Sequence, residues 1–156
     1  MAEYSANAVQ TVNPGEAIIF TEVVDSCKRG LIRHRNETGS FLLSGWAPRM
    51  RRCCCRTGND SVDYLVDFGC NVAIPTGGTV EPISVALTID GATIPASTMI
   101  STPAAVDEFD NISRAISADI WKGCCETLSV INTTAQPIQV QNANIIITRP
   151  DLNVTY

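Results

Sequence analysis

The residues that could do chemistry in this chain are few and oddly grouped. The one histidine, His34, lies between Arg33 and Arg35. Flanked by two cations, it is badly placed to take up a proton as the base of a nucleophilic triad. Seven cysteines stand at Cys27, Cys53, Cys54, Cys55, Cys70, Cys124 and Cys125. An odd count with consecutive members does not suit a secreted disulfide scaffold. Neither cluster has the two-residue spacing of a zinc knuckle or a redox CxxC motif. They read as small apolar thiols of a reducing compartment. Cross-chain disulfides, or a metal shared around a symmetry axis, are the alternatives. Asp107, Glu108 and Asp110 form a carboxylate cluster that offers hard oxygen ligands to Ca²⁺, or a solvated loop between strands. No Gly-x-Ser-x-Gly elbow, phosphate loop or paired-histidine metal motif occurs. The expectation is a protein without catalysis, cofactor or resident metal.

Charge is distributed unevenly. Residues 28–56 hold eight basic residues and one acid, a net +7, while the rest of the 156-residue chain sums to −12. Arg33, Arg35, Arg49, Arg51, Arg52 and Arg56 make this stretch a candidate basic contact patch. A nucleic-acid footprint is one meaning of such a block, but no aromatic residues are interleaved for base stacking. The pI of about 4.7 also argues against a dedicated nucleic-acid binder. The block is better matched to an acidic protein surface, on another copy or on a partner. Five N-x-S/T triplets, at Asn36, Asn59, Asn111, Asn132 and Asn153, follow from abundant Ser and Thr.

The elements that must position these residues are strands. Ile, Thr and Val number 44, against 16 for Lys, Glu and Leu together, a ratio that favours strands over helix bundles. The longest apolar runs resemble Ala17–Phe20, far short of a membrane-spanning helix, and no basic-then-apolar leader opens the chain. Alternation is clearest over 62–72, where Val62, Tyr64, Val66, Phe68, Cys70 and Val72 share one face. Val80–Asp90 repeats the pattern, with Ile83, Val85, Leu87 and Ile89 alternating, and Asp90-Gly91 predicts a tight hairpin turn into Thr93–Ser101. Further strands are expected at Glu16–Val24, Leu31–Arg35, Ser40–Gly45, Asn111–Ile120, Cys125–Asn132 and Ile138–Arg149, with an irregular segment at Pro48–Asn59. In the last strand the apolar phase switches from Ile138 and Val140 to Ala143, Ile145 and Ile147. A bulge near Gln141-Asn142 would reconcile the two. The sum is an all-β, antiparallel β-sandwich, a jelly roll of about nine strands with no significant helix. Residues 16–149 would form its single domain, 150–156 a short tail, and 1–15 an arm that docks elsewhere through Tyr4, Val9 and Val12.

Several stretches resemble a family of small proteins encoded in phages and prophages of Firmicutes. They are Tyr4–Val12, Ile74–Val80 with Ile83–Asp90, Thr102–Val106 and Val140–Ile146, together with Cys124-Cys125 and the arginine-flanked run Cys53–Cys55. The strand pattern is also similar to the C1q/TNF-like jelly roll, which assembles as a trimer around an apolar axis. These resemblances imply a virion structural protein: a homotrimeric capsid decoration or head-fibre protein on the capsid exterior, assembled in the bacterial host cytoplasm. The phage major capsid protein would be its partner, docked through residues 1–15, and Cys124 and Cys125 would be axial or interface thiols. Neither nucleic acid nor membrane is an expected partner. The alternatives are a trimeric module binding host-surface or mucin glycans, and the trimerising head of a bacterial surface or spore-coat protein. Trp46 and Trp121 are the only tryptophans that could stack on a sugar, and no collagen-like Gly-X-Y stalk occurs in the chain.

Overall fold

Alternating side chains force the long strands to bury one face, and two sheets do so against each other. The computed structural model describes residues 1–27, 30–35, 37–46, 61–123 and 125–150. Within them twelve strands form. They are β1 (Ala2–Ala6), β2 (Gln10–Val12), β3 (Glu22–Asp25), β4 (Ile32–His34), β5 (Ser40–Ser44), β6 (Ser61–Ala73), β7 (Ile83–Ile89), β8 (Ala92–Thr93), β9 (Met99–Ser101), β10 (Asp110–Trp121), β11 (Cys125–Asn132) and β12 (Ile138–Thr148). The first sheet runs β10-β6-β12-β1-β3, with β2 also paired to β12. The second runs β4-β5-β11-β7-β8, with β9 also on β7. Every pairing is antiparallel. The chain passes repeatedly between the sheets, as β6 to β7 and β11 to β12 do, which makes the sandwich a jelly roll.

The core follows the sequence pattern closely. All six residues of the 62–72 alternation are buried, and so are Ile145 and Ile147 on β12. The Asp90-Gly91 hairpin forms with φ of +47° and +82°, the left-handed pair that a two-residue turn requires. On β12 the register slips between Gln141 and Asn144, and Asn142 takes a φ of +52°. That bulge puts Ile138, Val140, Ala143, Ile145 and Ile147 all inside.

Three expectations are corrected. Residues 1–15 supply β1 and β2 inside the first sheet, because Ala2, Tyr4 and Ala6 are themselves an alternating buried set. The 16–24 strand contracts to β3, with Ala17 making only an isolated bridge to Ile131. Thr93–Ser101 is broken by Pro95, which opens a 3-10 turn at Pro95–Ser97. The irregular segment 48–59 and nearly all of the 150–156 tail lie outside the described residues.

Candidate functional site

A groove marks the outer face of the first sheet. Pairing lines up Ser113, Gly69, Asn144, Ser5 and Glu22 in one row across five strands. The next row is Ala115, Asp67, Ile146, Glu3 and Asp25, and a third is Ser117, Leu65 and Thr148. These are mostly small or uncharged side chains, so the sheet is shallow where it would otherwise be ridged. A groove of about 600 Å³ crosses β6 beside the bulge, lined among others by Asp67, Asn71, Asn111, Arg114, Asn142 and Asn144. Gly69 forms its floor. A Cβ there would meet only the Ser113 Cβ at 3.5 Å and the Ile112 carbonyl at 3.7 Å, ordinary contacts. The backbone therefore leaves room for a side chain at this position, and Gly69 stands opposite the β12 bulge, a place where strand glycines are common.

Several polar groups on this face are already held. Asn111 Nδ2 donates to Asn71 Oδ1 at 3.0 Å, and Asn144 Nδ2 to Glu3 Oε1 at 2.9 Å. Glu22 Oε2 accepts from Ser5 Oγ at 3.1 Å and from Asn7 Nδ2 at 2.9 Å. Asp67, half-buried, and Arg114, exposed, have no hydrogen-bond or ion-pair partner among the described residues. Neither residue type nor position marked this face in the sequence, since its rows join segments far apart in the chain.

The residues singled out from sequence are scattered. Tyr4 and Val12 are core residues at 3% and 2% exposure, which leaves only Val9 of the proposed docking trio on the surface. Arg33 and Arg35 are exposed, with Arg33 Nε donating to the Gly30 carbonyl at 3.1 Å. Arg49, Arg51, Arg52 and Arg56 lie outside the described residues, as do Cys53–Cys55 and Cys124. Cys125 is exposed at the start of β11, opposite Ser44. Trp46 and Trp121 are both exposed at one end of the sandwich, where the Gly123 N–H bonds the Gly45 carbonyl at 3.1 Å.

The carboxylate cluster is taken apart by its loop. Asp107 Oδ2 accepts from Thr76 Oγ1 and Asp110 Oδ2 from Ser101 Oγ, each at 2.6 Å. No grouping of three potential metal ligands occurs among the described residues. His34 Nε2 donates to the Thr38 carbonyl at 2.8 Å, because that carbonyl can only accept. Its ring stacks on Phe41 at 4.7 Å and meets Tyr4 at 4.8 Å, a packing role inside the sandwich.

Burial pushes the Cys70 thiol up to about 12 from its ordinary 9.0, so at pH 8 its thiolate fraction is only ~10⁻⁴. Iodoacetamide on the folded protein is expected to alkylate Cys125 and leave Cys70 untouched until denaturant is added. Peptide mapping by mass spectrometry checks this, and modification of Cys70 in the native state would refute its burial.

The architecture defines the class: an all-β, two-sheet jelly roll of the C1q/TNF type. The globular domain of zebrafish complement 1qA protein superposes with a TM-score of 0.54 at 8% identity, covering 93% of this chain and 94% of that one. The likeness is one of fold. Pika GITRL aligns with a TM-score of 0.45 at 12% identity over 91% of this chain and 96% of that one. A family 35 carbohydrate-binding module from Clostridium thermocellum aligns with a TM-score of 0.35 at 14% identity, over 89% and 98%. No known protein family and no curated protein matches the sequence itself.

Proposed function

We propose that this protein is a non-enzymatic virion structural protein, a homotrimeric jelly roll that decorates the exterior of a phage capsid or forms part of a head fibre. The observation that carries self-association is the outer face of the first sheet. It offers small and apolar side chains (Ser113, Ala115, Ser117, Gly69, Leu65, Ile146) on strands of 12, 13 and 11 residues. Leu65 stands 44% exposed there. Covering such a face with another copy removes apolar area from water at ~25 cal/mol per Å², and a closed ring leaves no copy with the face bare. The phage assignment draws on the sequence resemblance and on a chain suited to assembly in a reducing cytoplasm. With Tyr4 and Val12 in the core, docking on the capsid falls to surfaces other than a free N-terminal arm, the basic stretch foremost, meeting acidic capsid loops by charge complementarity.

Light scattering on the purified protein is expected to give about three times 16.8 kDa, near 50 kDa. A mass of one chain would sink the trimer. Purified capsids of the source phage are expected to carry the protein in stoichiometric copies, and capsids without it would sink the decoration role.

A second reading, a glycan-binding module, is favoured by the exposure of Trp121 and Trp46, 63% and 56%, at one end of the sandwich. An aromatic platform repeated three times would bind weakly at each site and strongly by avidity. Glycan-array binding that vanishes in Trp121→Ala would support it, and an array without signal would dismiss it.

A further inference from the structure

We propose that copies of this protein stack end to end, the acidic loop end of one docking on the basic loop end of the next. Both ends belong to a single chain, so stacking goes beyond the three-copy reading and does not depend on it.

The strands define the two ends. Ser61 pairs with Trp121 and Ser44 with Cys125, and the Ser44 N–H donates to the Leu31 carbonyl at 2.9 Å. The β3–β4, β5–β6 and β10–β11 connections therefore leave the sandwich at one end, that of Trp46 and Trp121. From there β6 and β11 run to Ala73 and Asn132 at the other. At that second end the Asp107 N–H donates to the Ile74 carbonyl and the Gly15 N–H to the Asn132 carbonyl, each at 2.8 Å. Gln136 Nε2 donates to the Thr79 carbonyl at 2.6 Å. These bonds gather the β2–β3, β6–β7, β9–β10 and β11–β12 connections into one platform.

Charge sorts by end. The platform connections carry Glu16, Glu81, Asp107 and Glu108 with no Lys or Arg, a net −4. The β4–β5 hairpin cancels its own charge, Arg35 against Glu37. The connections of the Trp46 end carry Lys28, Arg29, Arg49, Arg51, Arg52, Arg56 and Lys122 in their sequence, against Asp60. Asp90 of the β7–β8 turn, whose N–H bonds the Thr127 carbonyl, brings that end to +5.

Both ends also expose apolar surface: Val80, Val106 and Phe109 on the platform, Trp46 and Trp121 opposite. Glu81 and Glu108 have no side-chain hydrogen bond or ion pair among the described residues. Two platforms laid together repel, and so do two basic ends. A platform laid on a basic end attracts, and the contact covers the apolar side chains of both. Charge thus fixes one direction of docking. The contact is heterologous, and because its two surfaces lie at opposite ends of the sandwich it builds a linear stack instead of a closed ring. The basic end left bare at the foot of a stack is the surface free to meet acidic capsid loops.

The test uses the full chain in three forms. They are wild type, a platform variant (Glu16→Lys, Glu81→Lys, Glu108→Lys) and a basic-end variant (Arg49→Glu, Arg51→Glu, Arg52→Glu, Arg56→Glu). Sedimentation velocity is run at about 0.02 M and about 0.5 M salt, between which the screening length shrinks from ~20 Å to ~4 Å. Circular dichroism and thermal melting confirm folding. Wild type is expected to sediment as multiples of one unit at low salt and as that unit alone at high salt. Each variant, now with both ends of one sign, is expected to associate at least tenfold more weakly at low salt. An equal mixture of the two variants is expected to stack again, since each supplies the sign the other lacks. A wild type that remains one unit at low salt overturns stacking. Folded variants that stack like wild type, or a folded mixture that does not stack, overturn it as well. The mass of the unit at high salt reads the three-copy proposal separately: a single chain sinks that proposal and leaves stacking standing.

Discussion

Phe41→Ala is expected to destabilise the folded chain by about 3–5 kcal/mol, the usual cost of emptying a large aromatic site in a close-packed core. Phe41 on β5 is fully buried, and its ring meets Tyr4 at 5.0 Å, Phe20 at 5.2 Å and His34 at 4.7 Å. Those partners come from β1, the segment before β3, and β4, so one ring ties together both sheets at the β3–β4 side. Truncation forfeits the transfer free energy and the aromatic contacts, which add ~0.5–1.5 kcal/mol each beyond area. For a chain of this length the melting temperature is expected to fall by roughly 2–4 °C per kcal/mol. Denaturant titration gives the free energy directly. A loss below about 1 kcal/mol would mean that the cluster is not packed as described.

Asn132→Leu is expected to cost about as much by a different route. Asn132 is fully buried at the end of β11. Its Nδ2 donates to the Val12 carbonyl at 3.0 Å and to the Gln136 carbonyl at 2.9 Å, and its Oδ1 accepts from the Thr134 N–H at 2.8 Å. One amide thus holds β2 against the turn that leads into β12. Leucine has similar volume and greater hydrophobicity, yet it strands three backbone groups away from water. Each orphan costs ~1–3 kcal/mol, so a net loss of roughly 3–5 kcal/mol is expected in the same titration. A neutral or stabilising result would show that water replaces the amide. The same burial bears on glycosylation: Asn132 heads an N-x-T triplet, but its side chain is enclosed and fully committed.

Much of the sandwich was legible because alternation survives in strands that are buried on one face and wet on the other. The 62–72 stretch, the Asp90-Gly91 turn and the phase switch in the last strand each carry that local signal. The N-terminus carried it faintly: Ala2, Tyr4 and Ala6 alternate, but two of the three are alanines, and Tyr4 reads equally well as an exposed anchor. β3 was read only within a longer Glu16–Val24 strand, and its bounds were not legible, since Val23 and Val24 are both exposed and its order comes from pairing with β1 alone. The candidate surface was the least legible part. Its rows exist only once register sets Ser113 opposite Gly69 and Gly69 opposite Asn144. A glycine between two buried neighbours gives no hint of an exposed hollow. Likewise His34, which looked like the only base available, is absorbed by the aromatic cluster that Phe41 organises.

The bulge at Asn142 has a consequence for heredity. It makes the last strand a sequence with parity: the number of residues between Val140 and Ile145, not only their identity, decides which side chains meet the core. Between Gln141 and Asn144 the strand takes three steps where its neighbour takes two from Asn71 to Gly69, so it holds one residue to spare. Losing one codon at Gln141-Asn142 would set Val140, Ala143, Ile145 and Ile147 in plain alternation and erase the bulge without turning the core face outward. Losing two would keep the odd spacing and with it the need for a bulge. The gene can therefore shorten here by a single residue, a change that would turn a regular strand inside out.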